Sequence, residues 1–200
     1  MSDNVIKTIE CIIADHGSNA AAALEKIRVA IENTKMPDFS TLKGGDTFQY
    51  KGYDWIFLGK EQGGALCITA DVYKEIPFDK DNKNNWKLSS ARKELLNKFL
   101  PTLDASDLLP FEMDLIADNG DTSYGKCTDL VGILSCDLYR KYRNFVPLFN
   151  EWMMTCTPWS CSPSVASYVR GVITSGVLGL SYAHYRYGCV PACIFKINHR

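Results

Sequence analysis

The hydrophobic period of this chain changes once, at Gly44-Gly45, and that change divides it into two kinds of structure. Ahead of the glycines, apolar residues recur at helical spacing. Val5, Ile6, Ile9, Ile12 and Ile13 share one face, and Gly17 is a natural stop. Ser18 is placed to cap a second helix with the stripe Leu24, Ile27 and Ile31, which Pro37 ends. Beyond the glycines, Thr47-Phe48-Gln49-Tyr50 and Tyr53-Asp54-Trp55-Ile56-Phe57-Leu58 flank Lys51-Gly52, the pattern of a β-hairpin. Gly63-Gly64 introduces a further strand from Ala65 to Ala70. The expected organisation is a helical hairpin over residues 1–36 and a strand-bearing domain over 40–200. Helices this short are marginal in water alone, so their stripes need cover. Docking on the main domain would supply it; a homo-oligomer through residues 1–36 supplies it most simply.

The rest of the domain alternates turn signals with short periodic runs. Asp79 to Asn85 reads as a polar, solvated surface loop. Ser89 or Ser90 caps a predicted helix with Leu88, Leu95, Leu96 and Phe99 on one side, ended by Pro101. Leu130 to Leu134 is a buried strand or short turn, and Ser135 opens a helix from Cys136 to Tyr142. After Pro147 the chain is poor in charge, with strands expected near 167–174, 177–182 and 189–197. The class is α+β.

Charge and composition narrow the partners. A formal net charge of -1, with no local run of Lys and Arg, offers no sequence footprint for nucleic acid or an anionic membrane. Met1-Ser2-Asp3-Asn4 lacks the pattern of a signal peptide, so synthesis in a cytoplasm is expected. The longest charge-free stretch, Trp152 to Val169, contains Pro158 and Pro163, which argues against membrane insertion. The eight cysteines are scattered and are expected to be reduced, acting as small hydrophobes.

From about residue 50 the chain resembles an uncharacterised domain family of bacteria and their phages. The resemblance rests on four stretches in order. The first is Tyr53-Asp54-Trp55-Ile56-Phe57-Leu58 with Ala65-Leu66-Cys67-Ile68-Thr69. The second is Trp86, Ser89 and Arg92 followed by Leu96, Asn97 and Phe99, the Phe one residue early. The third is Asp129, the run Leu130 to Leu134, and Ser135; the fourth joins Trp152-Met153-Met154-Thr155 and Pro158-Trp159 to Gly188-Cys189-Val190-Pro191-Ala192. The chain departs from the family at Val190, where Arg is usual, and at Cys156-Thr157. The resemblance implies a fold similar to C-type lectins and formylglycine-generating enzymes, in proteins often associated with phage tails. It also marks Trp86, Ser89, Arg92, Asn97 and Trp152 as structural, with Trp86 buried and Arg92 bonded to backbone carbonyls.

Several residues invite chemistry. Formylglycine-generating enzymes use a cysteine pair, so Cys156, Cys161, Cys189 and Cys193 raise an oxidase reading; strand positions explain the terminal two as core. Zinc on Cys156, Cys161, His184 and Cys189 is chemically sensible, yet Cys-x4-Cys is looser than a zinc knuckle. Asp79, Asp81 and Asn85 resemble the start of a calcium loop that lacks its turn glycine. Asp118-Asn119-Gly120-Asp121 reads as a turn, with calcium binding the alternative, and Asp107, Glu112 and Asp114 as loop acids beside Pro110, with paired carboxylates the alternative. His16, His184 and His199 lie far apart.

The segment Ser181-Tyr182-Ala183-His184-Tyr185-Arg186-Tyr187-Gly188 has the composition of a binding surface, since Tyr offers wide contact at small entropic cost. The alternative is a strand of alternating buried and exposed rings. Such a stretch also resembles the diversified region of phage variable proteins. The expected ligand-binding set is Trp159, Tyr168, Arg170, Tyr182, His184, Tyr185, Arg186 and Tyr187. The expected function is non-catalytic recognition of a cell-surface protein or glycan, without cofactor or metal, by a phage or prophage protein carried on the virion. An intracellular phage protein that blocks a host defence protein, and a lectin-fold oxidase, are the alternatives.

Overall fold

A computed structural model describes residues 36–197, together with Cys11, Ala14, Ala22 and 25–27. The chain divides into two compact units, Met1–Pro37 with Gln49–Tyr53, and Asp38–Phe48 with Asp54–Arg200. Cys11, Ala14, Ala22 and 25–27 are helical. Val5, Ile6, Ile9, Ile12, Ile13, His16, Leu24, Val29, Ile31 and His199 lie outside the described residues, and with them most of the expected helical hairpin.

The described residues are mixed α+β, as the periodicity predicts, with strands dominating. β1 (Thr47–Tyr50) and β2 (Tyr53–Glu61) meet at Lys51-Gly52, whose φ values of 55° and 81° are both left-handed. Two such residues in succession make the turn whose twist suits a two-residue hairpin. Gln62-Gly63 repeats it at 48° and 82°, leading into β3 (Gly64–Thr69). β3 is buried along its whole length, which is why it reads as a continuous apolar run.

Beside β3 lies β12 (Ala192–Phe195), and beyond it β5 (Leu108–Leu109), giving the order β1-β2-β3-β12-β5. Phe195 organises the core there. Its ring meets Trp55 edge-on at 4.9 Å and stacks on Phe39 at 6.0 Å.

The second sheet has the order β10-β9-β8-β11-β4. Its members are β4 (Lys74–Pro77), β8 (Met153–Pro158), β9 (Tyr168–Val172), β10 (Leu178–Tyr182) and β11 (Arg186–Cys189). β8, at the centre, is buried throughout. A third ribbon pairs β6 (Phe111–Asp114) with β7 (Lys126–Asp129). The single strand expected over 189–197 is instead two: Val190-Pro191 carries the chain from β11 in one sheet to β12 in the other. Proline cannot donate to a ladder, so the break falls there.

Serine caps place the helices. The Ser89 hydroxyl accepts the Arg92 N–H at 3.1 Å and opens α1 (Ser90–Glu94), which runs into a π-helical turn over Leu95–Phe99. Leu95 and Phe99 are buried as expected, but Leu88 precedes the cap and is 66 % exposed. The Ser135 hydroxyl accepts the Leu138 N–H and opens α2 (Cys136–Tyr142). Leu130 to Leu134 crosses the core as an extended turn, with Val131, Ile133 and Leu134 buried and a single bridge from Gly132 to Ala192.

Two further expectations are corrected. Glu112 and Asp114 are not loop acids; they are the outward residues of β6, and Glu112 pairs with Lys126 of β7 at 2.6 Å. The segment from Asp79 to Asn85 is not simply solvated, because Asp79 and Asn84 are buried. The Asp79 carboxylate accepts the N–H groups of Asp81, Lys83 and Ser90. The Asn84 amide donates to the carbonyls of Ser160 and Tyr168 at 2.9 and 2.8 Å, and accepts the Tyr124 hydroxyl. A buried polar group costs free energy unless paired, and here the pairing ties two distant segments together.

Candidate functional site

The β9–β10 hairpin places Tyr168 directly opposite Tyr182. Their rings lie 4.5 Å apart, and the Tyr168 hydroxyl donates to that of Tyr182 at 2.7 Å. The chain then turns over Tyr182 to Tyr185, closed by the Tyr185 N–H on the Tyr182 carbonyl. That turn folds His184 and Tyr185 back onto Tyr182, at ring separations of 5.5 and 5.6 Å, with 4.5 Å between His184 and Tyr185. Four rings thus form one cluster. It faces water: Tyr182 is 36 % and Tyr185 51 % exposed, and His184 is exposed.

The turn beneath is held from inside. Ala183, fully buried, donates its N–H to Ser167 and accepts that of Asp79. The His184 N–H donates to the Asn82 side chain at 3.2 Å. Exposed rings on a pinned backbone lose little further entropy on binding, which is the condition for a recognition surface.

Next to the cluster lies a cleft of about 300 Å³ lined by Trp152, Ser181, Tyr185, Arg186 and Tyr187. Trp152 and Tyr187 stack as its wall, 5.9 Å apart and 26° from parallel. The Tyr187 ring is itself buried, and its hydroxyl bonds Ser181. Arg186 is exposed at the rim, with one guanidinium N–H on the Glu75 carbonyl.

Trp159 and Arg170 lie outside the four-ring cluster, although Arg170 also lines a small enclosed space with Trp152, Ser181 and Tyr187. The Arg170 guanidinium lies over the Trp159 ring at 5.3 Å and pairs with Asp118 at 3.2 Å, which Arg140 also approaches. Trp152, expected as a structural residue, is half-buried and lines the cleft.

Of the other structural set, Trp86 is fully buried against Phe78, its indole N–H without a partner. Arg92 meets one backbone carbonyl, that of Lys87, but its main partner is Asp129. Asn97 is exposed on the outer side of the π-helical turn.

The buried cysteines are held in the thiol form. Burial pushes Cys67, Cys156 and Cys193 well above the ordinary range, and Cys189 up to about 12. A nucleophilic cysteine needs the opposite shift. Among the described residues, no three His, Cys, Asp or Glu side chains gather so as to hold a metal ion, so Cys156, Cys161, His184 and Cys189 do not form a zinc set. Asp79 is occupied by backbone N–H groups instead of opening a calcium loop. Asp118-Asn119-Gly120-Asp121 is the turn expected, with Gly120 at φ 86°.

Asn82, which holds the turn beneath the cluster, was not singled out by sequence. Only the left-handed φ of Asn82, 57°, is the sort of conformation its residue type hints at. No helix among the described residues is long and apolar enough to cross a membrane. Comparison with protein-family models, curated proteins and solved structures finds no match to this chain.

Proposed function

We propose that this chain is a non-catalytic recognition protein of C-type-lectin-like fold, tail-associated in a phage or prophage, and that its aromatic face engages a cell-surface protein or glycan. The observation that carries this reading is the cluster of Tyr168, Tyr182, His184 and Tyr185 on a backbone pinned from beneath, beside an aromatic-walled cleft. The finer fold assignment draws support from the opening hairpin and the closing strand β12, which share one sheet. Burial of the Cys156, Cys189 and Cys193 thiols, which raises each above its ordinary value, weighs against the thiolate chemistry that the oxidase alternative needs. Self-association through residues 1–36 belongs to the same reading, because multivalent display raises avidity; light scattering on the full chain tests it.

Binding of the labelled chain to intact host cells tests the function. Tyr185→Ala should weaken binding about 10-fold or more at an unchanged denaturation midpoint, and Tyr182→Ala by as much with a small fall in midpoint from its lost cross-strand pair with Tyr168. Periodate treatment of the cells separates a glycan ligand from a protein one, which protease removes. Unchanged binding in both variants would sink the proposal.

A further inference from the structure

A second concave surface adjoins the aromatic face, and its lining is strongly one-signed. β4, the turn at Lys80 and the outer side of α1 with its π-helical extension enclose a groove of about 400 Å³. Lys74, Lys80, Lys93, Lys98 and Arg186 line it, against the single carboxylate of Glu94. That carboxylate is already held by Lys74 at 2.8 Å. Among the described residues, Lys80, Lys93 and Lys98 form no ion pair, and all three are exposed. The helix builds this face by spacing: Ser90, Glu94 and Lys98 recur every four residues, with Lys93 and Asn97 alongside. In a chain of net charge -1, such a local excess of cation is a property of the fold rather than of composition.

Arg186 joins the two surfaces. It lines the groove on one side and the aromatic cleft of Trp152, Ser181, Tyr185 and Tyr187 on the other. Its contact with the Glu75 carbonyl takes one of five guanidinium N–H groups, so the fork stays available to an anion.

We infer that the groove and the aromatic cleft together take an acidic saccharide, with sugar rings against Tyr185 and Trp152 and carboxylate, sulfate or phosphate groups on Lys80, Lys93, Lys98 and Arg186. This rests on the recognition reading above and names its ligand class. Aromatic rings suit the apolar faces of sugars, and the Asn97 amide and Ser90 hydroxyl among the cations suit neutral hydroxyl groups. Size decides against nucleic acid. A DNA-binding surface neutralises on the order of 6–10 phosphates along a track. Five cations around one compact groove, in the roughly 300–1,000 Å³ range of small-ligand sites, fit a few charged sugar units instead.

Titration of the full chain with oligogalacturonate, dextran sulfate, neutral dextran and a single-stranded DNA oligonucleotide decides the matter. The two acidic saccharides should bind, neutral dextran at least 10-fold more weakly, with affinity falling as salt rises. Carboxylate and sulfate preference is read from the first two probes. Lys93→Gln with Lys98→Gln should reduce acidic-saccharide binding about 10-fold at an unchanged denaturation midpoint. If the double variant binds acidic saccharide and host cells like the parent while Tyr185→Ala loses cells, the groove proposal falls and the aromatic reading stands. If neither variant loses cell binding, both fall. Tighter binding of the DNA than of either acidic saccharide overturns the ligand class.

Discussion

Arg92 holds Asp129 through two parallel hydrogen bonds, Nε to Oδ2 and NH2 to Oδ1, each 2.8 Å long. The third arm of the guanidinium donates to the Lys87 carbonyl at 3.0 Å. One side chain thus ties α1 to the end of β7 and to the turn before Ser89. The aspartate is only 7 % exposed, so water replaces little of what the arginine supplies.

Asp129→Ala should therefore destabilise the domain by about 2–3 kcal/mol, the range for losing charge-assisted bonds at a partly buried pair. Arg92→Lys should rescue little, because an ammonium cannot reproduce the fork geometry. Urea midpoints for the two variants check this; a lysine variant matching the parent would show that the pair acts as a point charge.

Trp86 separates packing from hydrogen bonding. Its ring is fully buried against Phe78, but its indole N–H has no partner. Trp86→Ala should cost roughly 3–5 kcal/mol through lost burial and a cavity. Trp86→Phe should cost distinctly less, since it removes no hydrogen bond. Equal losses in chemical denaturation would mean that the N–H is satisfied in solution.

The parts of this fold that depend on neighbouring residues were legible. Lys51-Gly52 between alternating runs marks its hairpin, and Ser89 and Ser135 mark the first turns of their helices, because the hydroxyl and the N–H it caps are three residues apart. β8 was missed for a physical reason. Both its faces are buried, so Met153 to Pro158 shows no alternation to read. β6 does alternate, but its acids beside Pro110 looked like loop. At the candidate site, the tyrosines announced themselves by composition. The cationic groove did not, since Lys74, Lys80, Lys93 and Lys98 are dispersed among acids and converge only when β4 packs by the helix. Nor did the burial of Asp79, whose partners are backbone groups that any sequence carries.

Burial of the thiols predicts an alkaline limit to stability. An unfolded chain releases these protons near pH 9, whereas the folded chain holds that of Cys189 to about 12, because burial disfavours the thiolate. Above pH 9 the unfolded state binds fewer protons, so stability falls as pH rises through that window and is fully present below it. The slope is at most about 1.4 kcal/mol per pH unit for each such thiol. Denaturation midpoints should hold steady from pH 7 to 8.5 and fall by pH 10, less steeply in Cys189→Ala. A flat profile to pH 10 would contradict the burial.

Native thiol reactivity should follow the same burial. The exposed Cys11 reacts first with a disulfide reagent, then the half-buried Cys161, while Cys67, Cys127, Cys136, Cys156, Cys189 and Cys193 stay slow. Protein made in a reducing cytoplasm should show all eight thiols once denatured. Fewer than eight would point to a disulfide in the native chain.

Asn84 connects stability to the recognition surface. Its amide N–H groups reach the Ser160 carbonyl and the Tyr168 carbonyl, across 76 and 84 residues of chain, and its oxygen accepts the Tyr124 hydroxyl. Tyr168 begins β9 and carries one ring of the aromatic cluster, so the position of that ring depends on a residue no part of which is exposed. Asn84→Ala removes a partner from the buried Ser160 carbonyl and from the half-buried Tyr168 carbonyl and Tyr124 hydroxyl, the Tyr168 carbonyl keeping the Trp159 N–H. Each such loss costs about 1–3 kcal/mol where water cannot enter. The expected total is roughly 2–4 kcal/mol, with water reaching some of the freed groups. Asn84→Asp should be worse above pH 5, because a carboxylate would replace two donors and face two carbonyl oxygens. Cell binding measured well below the denaturation midpoint should fall in Asn84→Ala even though the side chain touches no ligand. A variant that loses stability but binds at parental affinity would show that the cluster is held by the β9–β10 pairing alone.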